Sequence, residues 1–150
     1  MRTLVVISAL SLALLFCVGC TKSGAPSCTD ESVKKLVLDI STGELRNILL
    51  NKAMMMSSIR VPGSYDDVKK MASQPGIPPE VGDLIATVDK QIAEAKISLS
   101  NIRINGKRDD IKKCECGGDL ALSNGKTLPI NYTAQFTEDG KVYVEVAGLK

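Results

Sequence analysis

A change of hydrophobic period near Ile97 constrains this chain more than any other feature. Before it, Val33, Leu36, Val37, Ile40, Ile48 and Leu49 recur at helical spacing, as do Val81, Leu84, Ile85, Val88 and Ile92. After it, Leu128, Ile130, Tyr132, Ala134 and Phe136 alternate with polar neighbours, and Val142, Val144 and Val146 repeat the alternation. A period of two puts every apolar side chain on one face of a strand, so the second half needs a sheet with one buried side. Helices first and strands afterwards define an α+β domain, because parallel crossover units need the two to alternate.

Local signals divide the helical half. Thr29 or Asp30 caps a long first helix. Ser41 and Glu44 have capping-box spacing, but Ile48 stays in phase with Ile40, so one helix kinked at Gly43 is expected rather than two. Met54 to Gly63 reads as helix end and loop. Ser64 with Asp67 opens a short helix through Ala72, stopped by Gln74-Pro75-Gly76. Pro78 and Pro79 suit the first turn of another, ending near Lys96.

In the second half, Asn105-Gly106, Asn124-Gly125 and Asp139-Gly140 mark tight turns, giving four strands at about 97–104, 110–123, 126–137 and 141–149. Four consecutive hairpin-linked strands form an antiparallel meander. Strands of that length bend, and Gly117-Gly118 is the expected bulge. Helices followed by a long curved meander resemble the cystatin-like and NTF2-like α+β architectures. That resemblance rests on element order and covers residues 29–150, and the class hosts enzymes, ligand carriers and secretion-system scaffolds alike.

The N-terminus reads as processing rather than fold. Arg2 precedes an apolar run from Leu4 to Val18, interrupted by Ser8 and Ser11, of about fifteen residues against the roughly twenty a spanning helix needs. The run ends in Cys17-Val18-Gly19-Cys20, which resembles the lipobox of bacterial lipoprotein signal peptides, with small Gly19 just before the cysteine. The resemblance implies that residues 1–19 are removed and that Cys20 carries a diacylglyceryl thioether and an amine acylated by a fatty acid such as palmitate. Residues 20–28 are then a short tether for the domain at 29–150. Thr21 rather than Asp after the cysteine implies sorting to the outer membrane, facing the periplasm of the cell envelope.

Composition narrows the chemistry. The 150 residues include no His and no Trp, and the formal net charge is +2. Imidazole chemistry is therefore absent, and no nucleic-acid partner is expected from so weak a charge. An oxidising compartment permits disulfides, and Cys28, Cys114 and Cys116 remain once Cys17 is removed and Cys20 acylated. Residues at i and i+2 on a strand point the same way and do not pair with each other. Cys28 is expected to bridge Cys116, nearer the glycine pair and the strand interior, with Cys114 as the alternative partner. Such a bond closes a loop of roughly ninety residues, worth about 4 kcal/mol in the chain-entropy picture. No metal or cofactor is expected, since His and a second cysteine pair at ligand spacing are missing.

Three further clusters have ordinary readings. Met54-Met55-Met56 looks like soft-metal ligation, but consecutive helical residues diverge by about 100°, so a flexible apolar patch is expected. Asp66-Asp67 reads as helix capping. Asp109-Asp110, among Lys107, Arg108, Lys112 and Lys113, reads as a charged turn, because adjacent carboxylates do not converge for acid–base work.

These features predict a non-enzymatic, membrane-anchored envelope lipoprotein with an envelope-protein partner; an exclusion or immunity type is one form of it. The alternative is a small-molecule-binding or enzymatic NTF2-like domain, with a pocket between helix and sheet using groups such as Tyr132 or Tyr143.

Overall fold

A computed structural model describes residues 24–149, in the order α1 (Glu31–Met56), α2 (Tyr65–Ala72), α3 (Pro79–Ala95), β1 (Ser98–Arg108), β2 (Lys113–Ala121), β3 (Thr127–Phe136) and β4 (Val142–Ala147). Three helices are followed by a curved, unclosed antiparallel sheet in the order β1-β2-β3-β4, the α+β meander that the change of period demands.

The first helix runs unbroken through Ser41 and Gly43 and has no second start at Glu44. It serves two separate cores. Val33 and Val37 on its first half are buried with Cys28, Cys114, Cys116, Leu120, Ile130, Tyr132, Ala134 and Val144 of the sheet side. Leu50 on its second half is buried with Tyr65, Val68, Val81, Ile85 and Val88 of α2 and α3. A buried stripe at strict four-residue spacing drifts around a helix of 3.6 residues per turn. The switch of partner follows that drift, and Ile48, expected on the buried face, is 37% exposed while Leu50 is buried.

The helix ends behave as their residues dictate. Asp30 precedes α1 without a side-chain cap on it; its carboxylate accepts from the Ser27 N–H instead (3.1 Å). At the other end Arg60 donates to the carbonyls of Met54 and Ser57, which a helix C-terminus leaves without intrahelical partners, and to that of Ile59 in the loop beyond. The Ser64/Asp67 capping box at α2 is complete, and Pro79 opens α3. Ser123 ties the β2–β3 turn to the end of α3, donating from Oγ to Glu94 O (2.6 Å) and from N–H to Ala95 O (2.8 Å).

The sheet departs from expectation on β1. Asn105-Gly106 is not a turn: β1 continues to Arg108, and the chain reverses over Asp109–Lys112. Ile104 faces Cys116 while Gly106 faces Glu115, so Asn105 is the extra residue of a bulge; a second irregularity lies between Ser100 and Arg103. The glycine pair on β2 is regularly paired with β3, so the expected bulge at Gly117-Gly118 is displaced to the strand opposite. A Cβ on Gly118 would meet Leu99 Cδ1 at 3.1 Å and Ser100 O at 3.4 Å, and its absence lets the bulged strand approach.

Candidate functional site

At one end of the sheet, the start of α1, the first half of β2 and the entering chain converge on sulfur. Cys28 and Cys116 form a disulfide with Cα atoms 5.9 Å apart, joining the chain just before α1 to the second strand. Cys114 is the free thiol, two residues away on the same face, as the strand period requires. Its sulfur lies 3.1 Å from Cys28 Sγ and 3.8 Å from Cys116 Sγ, and it donates to Gly106 O (3.5 Å). All three cysteines are at most 1% exposed. Burial pushes the Cys114 thiol above its ordinary range, so little reactive thiolate is present at neutral pH. Tyr132 closes the cluster by donating its hydroxyl to Cys28 O (3.0 Å), so this ring is a clamp on the start of α1 rather than a pocket group.

The chain before Cys28 is fixed as well. Ala25 N–H donates to Asp109 Oδ1 (3.0 Å) at the β1–β2 turn. That hydrogen bond, followed by the ion pair with Lys107 (3.1 Å), holds the Asp109 carboxyl below its ordinary range. Asp110 pairs with Arg108 (3.0 Å), which lowers its pKa likewise. Both carboxylates are thus spent on the turn itself.

The face of the sheet away from α1 carries a groove of about 530 Å³ lined by Asn105, Glu115, Asn131, Thr133, Glu145 and Ala147 among others. The register aligns Glu115, Thr133 and Glu145 in one row across β2, β3 and β4. Two strand spacings separate the carboxylates by roughly 10 Å, so they do not share a proton. Tyr143, at 46% exposure, donates to Glu145 Oε1 (3.2 Å). This surface offers hydrogen bonds and two acids.

The far end of α1 bears the methionines. Met54 packs into the helical core, whereas Met55 and Met56 are 78% and 80% exposed, the divergence expected of consecutive helical residues. Asp67 caps α2, as its spacing to Ser64 requires, and lies below its ordinary pKa because the Ser64 hydroxyl and N–H bond it.

One polar cluster has no sequence motif. Tyr65 donates its hydroxyl to Asp89 Oδ1, Lys69 reaches Asp89 Oδ2 (3.0 Å), and Arg46 stands 5.5 Å over the Tyr65 ring. The Tyr65 hydroxyl, then Lys69 and Arg46, hold the Asp89 carboxyl below its usual range against the opposing effect of burial. The cluster joins all three helices. The four-residue spacing of Tyr65 and Lys69, which puts both on one face of α2, is the one part of the cluster that sequence carries.

Cys20 lies outside the described residues. No helix among the described residues is long and apolar enough to cross a membrane. Compared with protein-family models, curated proteins and solved structures, the chain matches none.

Proposed function

We propose that this chain is a lipid-anchored lipoprotein of the bacterial envelope, held at the outer membrane through Cys20, whose α+β domain binds an envelope protein without catalysis. The observation that carries the reading is the buried Cys28–Cys116 disulfide in a chain whose first twenty residues resemble a lipoprotein leader. Disulfides belong to oxidising compartments, and such a leader delivers a chain to one. The space between α1 and the sheet is filled by Val33, Val37, Ile130 and Tyr132, each at most 2% exposed, where a small-molecule pocket would have to lie. Of the carboxylates singled out by sequence, Asp67 serves as a cap and Asp109 and Asp110 as ion pairs. Binding through the outer groove or the exposed methionines fits those surfaces better than turnover does.

The test is a Cys20→Ser variant in the producing bacterium. It is expected to lose palmitate labelling and to leave the detergent phase, since a hydroxyl cannot form the thioether. Equal membrane retention of the variant would exclude Cys20 as the anchor.

A further inference from the structure

We propose that the β1–β2 turn, with Ile111 at its exposed tip and Lys112 and Lys113 beside it, docks onto the anionic phospholipid headgroups of the bilayer that holds the anchor. This rests on acylation of Cys20. Three residues separate Cys20 from Gly24, and the four steps between them reach about 14 Å at full extension. A Cβ on Gly24 would stand 3.1 Å from Asp109 Oδ1, and the Ala25 N–H is bonded to that same carboxylate. The tether therefore leaves the domain at this turn, and of the whole surface this end is held nearest the lipid.

The turn suits that position. Ile111 is 50% exposed at its tip and belongs to neither core among the described residues. Asp109 and Asp110 are engaged by Ala25, Lys107 and Arg108, whereas Lys112 and Lys113 have no ion pair among the described residues. Lys112 adopts a left-handed φ of 51°, a conformation that Gly or Asn holds more easily, so the backbone gives no reason for a lysine there. At the same end of the sheet, Asp139 of the β3–β4 turn is matched by Lys141 (2.6 Å), leaving Glu138 and Glu115 as the opposing acids among the described residues. The electrostatic attraction is modest. A tether this short raises the local concentration of headgroups enough for one apolar tip and two lysines to suffice.

The chain has no tryptophan, so one introduced Trp is a clean reporter. The processed full-length protein, purified from membranes, is reconstituted into vesicles of phosphatidylethanolamine and phosphatidylglycerol with brominated acyl chains. Trp fluorescence is compared for Ile111→Trp and for Met55→Trp, an exposed site at the far end of α1. The Ile111→Trp signal should be quenched several-fold more than the Met55→Trp signal. Adding Lys112→Glu and Lys113→Glu to Ile111→Trp should weaken docking by roughly an order of magnitude or more. Equal quenching at the two sites in protein that floats with the vesicles would overturn the docking while leaving the anchor intact. Quenching unchanged by the two Lys→Glu substitutions would overturn the headgroup contact. Protein that carries no acyl mass and fails to float would overturn the anchor, and the docking with it.

Discussion

The free thiol beside the disulfide makes the three cysteines unequal, and alanine substitution should expose the inequality. The bond spans 88 positions, so removing it restores about 4.6 kcal/mol of chain entropy to the unfolded state at 25 °C; about 2 to 4.5 kcal/mol is the realistic loss. At an unfolding entropy of about 2.1 cal/mol/K per residue, a domain of roughly 130 residues loses about 4 °C per kcal/mol, hence about 8 to 16 °C for Cys28→Ala. Cys116→Ala removes the same buried sulfur but leaves Cys114 3.1 Å from Cys28 Sγ, at a separation of 86 positions. A Cys28–Cys114 bond closes almost the same loop, so this variant should keep most of the stabilisation. The assay uses the Cys20→Ser mature domain, refolded with a glutathione redox couple and followed by circular-dichroism melts and thiol titration in denaturant. Cys28→Ala should titrate two thiols, the parent one and Cys116→Ala none. If Cys116→Ala titrates two thiols and melts with Cys28→Ala, the nearness of Cys114 has no chemical consequence and the reasoning fails.

Two glycines should respond with opposite signs. Gly43→Ala, in mid-helix with nothing within 4 Å of the new methyl, should stabilise by about 0.5 to 1 kcal/mol, whereas Gly118→Ala should destabilise by about 1 to 3 kcal/mol through its contacts with Leu99 and Ser100; denaturant titration reads both. Asp89→Asn should be less stable than the parent at neutral pH. Because the folded carboxyl lies below its unfolded value, that stabilisation is present above about pH 4 and disappears as pH falls through the folded pKa, so melts of the two proteins should converge in acid. A gap that persists at the lowest pH would assign the loss to packing instead.

The elements were legible wherever the deciding interaction is local. Ser64 and Asp67 reach each other over three residues, Pro79 needs only its own ring to open α3, and the period-two run from Leu128 to Phe136 reports which face is buried. Cys114 and Cys116 were placed on one face by the same period. Reading failed where a distant partner decides. Asn105-Gly106 carries the dipeptide of a hairpin, yet the neighbouring strand supplies pairing out to Arg108 and absorbs Asn105 as a bulge. Ile48 and Leu50 exchange exposure because α1 turns toward α2 and α3, a choice invisible within its own window. The Tyr65–Asp89 contact joins residues 24 positions apart on different helices and has no spacing to betray it.

The division of α1 between two cores also sets an order of events as the chain emerges from its N-terminus. The helical core, from Leu50 to Val88, is complete in sequence before the first strand begins at Ser98, and it closes over short loops. Its formation can proceed with only half of the first helix covered. Val33 and Val37 must wait for residues roughly eighty to a hundred positions later, and the Cys28 thiol stays unbonded until β2 arrives. During that interval a nascent chain presents a solvent-bare helical stripe and an unpaired Cys28 thiol, features that invite a holdase and a foreign disulfide. Val144 on the last strand completes the sheet-side core, so the C-terminal hairpin decides when that vulnerability ends.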